Sequence, residues 1–248
     1  MNEIIYGIHA VQAILKRDPQ LFKEVYLLER RNDQRFQCII KQLKQKKIII
    51  KIVNRQWLDM QVKGATHQGI IARVQTNRRQ FQEQDLPALL AQHTAPLLLV
   101  LDGVTDPHNL GACLRCADAA GVNAIIIPRN RSAYLNATVK KVASGAAETM
   151  PLIQVTNLAR TLRLLQEHNI LILGTTIEAD SHIYQTSFKF TSPIALVVGA
   201  EGNGIRRLTK KYCNELLRIP MVGSVASLNV SVAVGVFLFE VVRQRLSS

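Results

Sequence analysis

No stretch of this 248-residue sequence is long and apolar enough to cross a bilayer. A spanning helix needs about 20 mostly apolar residues. The most apolar run, from Leu228 to Phe239, has Asn229 and Ser231 inside it and stops at Glu240, Arg243 and Arg245. A buried helix therefore fits this run better than a membrane anchor. There is no basic segment followed by an apolar core and a small-residue cleavage site at the start, so the N-terminus does not read as a signal peptide. Disulfide-framework spacing is absent from the four cysteines, Cys38, Cys113, Cys116 and Cys213, which points to a reducing cytoplasm. Cys113-x-x-Cys116 has no second cysteine pair or histidine pair to complete a zinc site, and both thiols read as small apolar fillers. Neither G-x-G-x-x-G nor Gly-Lys-Ser/Thr occurs in the glycine-rich "LVVGAEGNGI", so dinucleotide and P-loop chemistry are not indicated there. Repeats and low-complexity tracts are also missing.

Acidic residues are scarce relative to basic ones: 18 Asp and Glu against 31 Lys and Arg, a formal charge of +13. Such an excess suits a polyanion, although a merely basic soluble enzyme fits the charge equally well. Apolar residues make up 48%, enough for a core without covalent staples.

The first 75 or so residues alternate helix and strand patterns. "GIHAVQAILKR" and "FQCIIKQLKQKK" read as amphipathic helices, and "EVYLLE", "IIIKIV" and "GIIARVQT" as strands. The polar, proline-containing stretch 77–95 reads as a linker with one short helix at Leu86–Gln92. From residue 96 apolar runs alternate with helices, the pattern of a parallel sheet covered on both faces. Ligands of such sheets bind beyond the carboxyl ends of strands. Three of those ends are rich in glycine or proline, after Leu101, Val198 and Ile219.

The first, "LDGVTDPHNLGACLRCADAAG", predicts a helix over 109–120 with Asn109 as its cap, and it places Arg115 one turn from Gly111, where a ligand can come close. A solvated Arg115 fits the spacing equally well. In the second, Glu201 is a carboxylate inside a glycine loop, and taken alone it reads as solvated. The third, "IPMVGSVASLNVSVAVG", puts Ser227 and Asn229 at the start of a buried helix, with Ser224 or Ser227 as the simple capping alternative. Ser227, Ser231 and Gly235 recur every four residues and define a small-residue face.

Together "DPHNLGACLRCADAAG", "VVGAEGNGI" and "IPMVGSVASLNVSVA" resemble the three motifs of the SpoU (TrmH-type) ribose 2′-O-methyltransferases of the SPOUT superfamily. "IYGIHAVQAIL", "HQGIIARV" and "RSAYLNATVKKVASGAAE" extend the resemblance over essentially the whole chain. It implies an α/β fold: a mostly parallel, trefoil-knotted methyltransferase domain over 96–248, after a small L30e/L7Ae-like RNA-binding domain over 1–76. It implies S-adenosylmethionine as methyl donor, held by Gly199, Ile219, Met221 and Leu228, and a homodimer close-packed on the Ser227/Ser231/Gly235 face, without metal or membrane. The implied substrate is a guanosine ribose of 23S ribosomal RNA. Arg115 would grip the hydroxyl or its phosphate, Asn109 and Asn229 would orient groups, and Glu201 would fix Arg115 or the loop. Phosphate contacts would come from Arg30, Arg31, Arg35, Lys41, Lys44, Lys46 and Lys47. A same-family enzyme acting on transfer RNA or another ribosomal site, and a non-catalytic RNA-binding assembly factor, remain open from the residues alone.

Overall fold

The structure is a computed structural model that describes residues 2–62, 64–75, 81–185 and 190–247. By internal contacts the chain forms two compact units, Met1–Arg79 with Ser144–Thr149, and Gln80–Ala143 with Met150–Ser248.

The first unit runs β1 (Asn2–Tyr6), α1 (Ile8–Arg17), β2 (Phe22–Leu28), α2 (Gln34–Gln45), β3 (Ile50–Val53), α3 (Arg55–Gln61) and β4 (Ile70–Gln75). Its sheet has the order β1-β4-β2-β3, with β4 antiparallel to both neighbours and β3 parallel to β2. Helical spacing puts Ile8, Val11 and Leu15 of α1, and Phe36, Ile39 and Leu43 of α2, on faces buried against Val25, Leu27, Ile70 and Ala72. Asp33 starts α2 by accepting the Phe36 N–H at 3.1 Å. The opposite sheet face is covered by α3, where Leu58 packs with Tyr26 and Ile71, and Trp57 lies 4.4 Å from the Tyr26 ring. The expected strands and two helices are present; β1 and α3 are additions that their short patterns do not announce. Arg31 is a correction. It pairs with Asp33, donates to the Gln68 carbonyl and lies over the Phe36 ring, so its guanidinium is committed inside the unit. Arg30, Arg35, Lys41, Lys44, Lys46 and Lys47 are exposed.

The second unit contains α4 (Leu86–Leu90), β5 (Leu97–Asp102), α5 (Pro107–Ala119), β6 (Ala124–Pro128) and α6 (Ala137–Val142). After α7 (Ala146–Thr149), which belongs to the first unit, come β7 (Leu152–Val155), α8 (Leu158–Glu167), β8 (Leu171–Thr175), β9 (Ser181–His182), β10 (Ile194–Gly199), α9 (Arg207–Lys211), β11 (Glu215–Arg218) and α10 (Val230–Leu246). All strands of its sheet are parallel, in the order β7-β6-β5-β10-β8-β11-β9. Every residue of β5, β6 and β10 is buried, as uninterrupted apolar runs require when helices cover both faces. Of the stretch 77–95, residues 77–80 lie outside the described residues. Leu86, Leu89 and Leu90 are buried in the core of this unit, next to Leu158, Leu162 and Leu165 of α8.

At the far end of α10 the Arg245 guanidinium donates to the carbonyls of Ala95, Phe190 and Ser192, each at 3.0 Å. That ties the last helix to the entry points of β5 and β10. Among the described residues no helix is long and apolar enough to cross a membrane.

Candidate active site

β5 and β10 are neighbours in register, so Asp102 and Gly199 end side by side. The chain leaves both strands at the carboxyl edge of the sheet, where parallel folds collect ligands. Beyond Gly199 it closes a tight turn in which the Gly204 N–H donates to the Ala200 carbonyl at 2.9 Å. Gly202 and Gly204 have φ of +80° and +60°, a region side chains strain to occupy. A Cβ on Gly199 would stand 2.0 Å from the Gly204 carbonyl carbon, so the turn folds directly back over this position.

Two anchors hold that turn. Asp102, 1% exposed, accepts the Arg206 N–H at 3.0 Å and its Nε at 2.6 Å. Removing this carboxylate strands a backbone donor and a guanidinium, so Asp102→Ala is expected to cost about 2 kcal/mol in chemical denaturation. The second anchor is Glu201. Its Oε1 accepts from Asn229 Nδ2 at 2.7 Å, Asn109 Nδ2 at 3.2 Å and the Val230 N–H at 3.3 Å. Asn229 Nδ2 also donates to Asn109 Oδ1 at 2.9 Å. Residues from three separate strand-end segments thus meet at one carboxylate.

Helix boundaries explain how they reach it, and two differ from expectation. α5 begins at Pro107, capped by Asp106, whose side chain accepts the His108 N–H at 2.9 Å. Proline is favoured in the first turn because its missing N–H has no helical partner there. Asn109 is therefore inside the helix rather than its cap, and its amide is free to reach sideways. α10 begins at Val230 with Asn229 as the cap, through Ser231 N at 2.9 Å and Ser231 Oγ at 2.7 Å. Neither Ser224 nor Ser227 caps it. Ser227 lies in the preceding loop, so the face of small residues begins at Ser231, and Gly235 packs near Cys116 of α5.

Between these elements lies a cavity of about 430 Å³. Gly199, Glu201, Ile219, Met221, Leu228 and Asn229 all line it, with Ala233 and Phe237 of α10 as one wall. Asn109 touches it only through Glu201 and Asn229. Arg115 does not line it; the residue is exposed on α5, with no hydrogen-bond partner among the described residues. Glu201 holds the loop, and no bond joins it to Arg115. Gly111 is not open to a ligand either: a Cβ there would stand 2.7 Å from Val142 Cβ and 2.9 Å from the Val139 carbonyl, because α6 packs on it.

Two parts of the site were not expected. Thr175 to Glu178, from the last residue of β8 onward, form another side of the cavity, and Asp102 with Arg206 pins the turn after β10. The strand-end rule points to the first, since "ILILGTT" is an apolar run ending in glycine and threonine. Nothing in the sequence pairs Asp102 with Arg206, 104 residues apart. Burial pushes the Cys113 thiol up to about 12, with Cys116 and Glu201 adding to it, and burial also raises Cys116. Both therefore stay protonated as packing groups. Among the described residues no group of three or more His, Cys, Asp and Glu is placed to hold a metal ion.

A parallel sheet whose carboxyl-end loops close on such a cavity defines a ligand-binding α/β domain, and its motifs define which one. The chain belongs to the SpoU rRNA Methylase family, whose model matches residues 96–239; residues 4–80 match the family described as RNA 2′-O ribose methyltransferase substrate binding. Among its relatives, the 23S rRNA (guanosine-2′-O-)-methyltransferase RlmB of Yersinia pestis is 66% identical over 99% of this chain and 98% of its own length. The protein of the same description from Escherichia coli K12 is 62% identical over 99% of this chain and 100% of its own. In fold the chain resembles the SpoU methyltransferase AviRb of Streptomyces viridochromogenes, solved with the cofactor AdoMet: TM-score 0.74, 20% identity, covering 100% of this chain and 92% of that one.

Proposed function

We propose that this protein transfers a methyl group from S-adenosylmethionine to the ribose 2′-hydroxyl of a guanosine in 23S ribosomal RNA. The carrying observation is the meeting of Asn109, Glu201 and Asn229 beside a cavity lined by Gly199, Ile219, Met221 and Leu228. The cavity fits the donor. Its volume is in the range of small-molecule sites, its walls mix apolar side chains such as Val198, Leu217, Ile219 and Phe237 with polar ones, and at Gly199 the backbone takes the space of a side chain. Bound there, S-adenosylmethionine supplies an activated methyl on a sulfonium. Gly199, Ile219, Met221 and Leu228 would hold it, and the Glu201 carboxylate ties its own loop to Asn109 and Asn229 beside that cavity.

Arg115 acts on the RNA. Exposed and without a hydrogen-bond partner among the described residues, its planar fork grips a phosphate and aligns the neighbouring 2′-hydroxyl. A guanidinium keeps its protons, so the hydroxyl proton passes to water or to a phosphate oxygen of the RNA. We assign residues 1–76 to RNA binding and 96–248 to methyl transfer; the stretch 77–95, expected as a linker, is in its described part no free tether, because α4 is buried in the core of the second unit. The exposed Arg30, Arg35, Lys41, Lys44, Lys46 and Lys47 supply phosphate contacts. The cytoplasm, where ribosomes are made in bacteria, is the matching compartment.

The test is direct. 23S RNA from cells lacking the gene gains one ribose methyl on incubation with protein and labelled donor, and calorimetry detects donor binding. Failure of both would favour the non-catalytic reading.

Homodimerisation is supported by Val232, Phe239 and Leu246, exposed by 51%, 48% and 84% and spaced by sevens along one stripe of α10. Phe239→Glu is expected to convert a dimer to a monomer in sedimentation equilibrium. An unchanged mass would remove this face from the interface.

A further inference from the structure

The loop between β6 and α6, residues 129–136, plays no part in the site so far, yet it leaves the same edge of the same sheet. β6 lies beside β5, and the loop is fastened to the β5–α5 loop by the Ala133 N–H donating to the Val104 carbonyl at 2.8 Å. Ala133 is buried, and Asn136 closes the far end by accepting the Val139 N–H at 2.9 Å to start α6. α6 in turn packs on α5 at Gly111, one turn before Arg115. The segment is thus held firmly at both ends next to the helix that carries Arg115.

What it presents outward has no partner among the described residues. Tyr134 is 67% exposed, and neither its hydroxyl nor its ring has a partner among the described residues. Leu135 beside it is 37% exposed. Arg129 and Arg131 are exposed and form no ion pair there, and Arg131 takes a left-handed φ of 57° that a residue other than glycine adopts only at some cost. The carboxylate of the adjoining loop, Asp106, is occupied in capping α5. Isolated from its setting, an exposed tyrosine is unremarkable. Here it is an exposed ring on the same short loop as two exposed guanidiniums that form no ion pair among the described residues, on a chain of charge +13.

We propose that this loop docks an unpaired nucleobase of the substrate RNA, with Tyr134 as its stacking platform and Arg129 and Arg131 on flanking phosphates. The inference rests on the RNA reading of the active site and names the surface that presents the target strand to it. An unpaired base is required because paired bases in an RNA helix are already stacked on both faces, whereas a splayed one offers a face to an aromatic ring.

Binding of a 23S RNA transcript, followed over a series of salt concentrations, tests it. Tyr134→Ala should weaken binding about tenfold, the loss of one stacked base, and lower kcat/KM for RNA similarly. The salt slope should stay unchanged, because no charge is removed. Tyr134→Phe and Tyr134→Trp should bind as wild type. Arg131→Ala should instead reduce the slope by about one. Affinity for S-adenosylmethionine should not move in any of them. The proposal is overturned if Tyr134→Ala binds RNA normally, or if Tyr134→Phe is as weak as the alanine variant. It is equally overturned if the alanine variant changes oligomeric state instead, which would make the loop a subunit contact. A wild-type protein that binds the transcript but methylates nothing would defeat the proposed activity and leave this binding test intact.

Discussion

Arg115→Ala is expected to lower methyl transfer on the order of a thousandfold while leaving affinity for S-adenosylmethionine close to wild type. The magnitude is that of removing one charged group that positions and stabilises the reacting centre. The separation of effects follows from geometry. Arg115 is exposed on α5, outside the cavity lining, and has no hydrogen-bond partner among the described residues. Its loss is therefore expected to remove the proposed RNA contact without loosening the loops. Arg115→Lys should fail nearly as badly, because a point charge cannot reproduce a planar pair of donors. Single-turnover transfer at saturating RNA, with donor binding measured separately by calorimetry, reads both quantities. Equal loss of turnover and donor binding would mean that Arg115 supports the pocket instead.

Gly199→Ala is expected to abolish donor binding. The added methyl would stand 2.0 Å from the Gly204 carbonyl carbon and 2.2 Å from the Ile205 nitrogen, both backbone atoms that no rotamer change can move aside. Accommodating it means opening the turn that carries Glu201, and with it the bonds to Asn109 and Asn229. The strand itself need not unfold, because Gly199 is its last residue. Circular dichroism should stay native while titration of S-adenosylmethionine shows no heat. A variant that bound the donor normally would show that the turn is not the pocket's floor. Gly202→Ala makes a useful contrast: nothing lies within 4 Å of its added carbon, and only the positive φ opposes it. That costs about 1 kcal/mol, so binding should weaken rather than disappear.

These two positions also show what the sequence displayed and what it concealed. Apolar runs bounded by glycine and proline located β5 and β10, because a strand buried on both faces needs an uninterrupted set of apolar side chains. The loops after them were legible for the same reason: they are where such a pattern stops. Helix starts were less legible. Asn109 and Asp106 are both good caps by type, and proline between them decides for Asp106 only once the first turn is seen to form around it. Gly111 and Gly199 look alike in the sequence, yet one admits a neighbouring helix and the other a folded-back turn. Asp102 with Arg206 and Arg31 with Asp33 were hidden because the choice of ion-pair partner is settled by three-dimensional approach. The motif resemblance named Glu201 without deciding whether it served Arg115 or the loop; the hydrogen bonds decide for the loop.

The single oxygen of Glu201 gathers groups separated by 92 residues on one side and 28 on the other. Contacts so distant in sequence close late, since long stretches of chain must first be ordered. Asn229 is also the last of the three to be synthesised. A growing chain still short of residue 229 can assemble β5 and β10, but it has no finished pocket. Competence should therefore appear abruptly once Asn229 has joined the chain, and a released fragment ending before Asn229 should fold in part and remain inert.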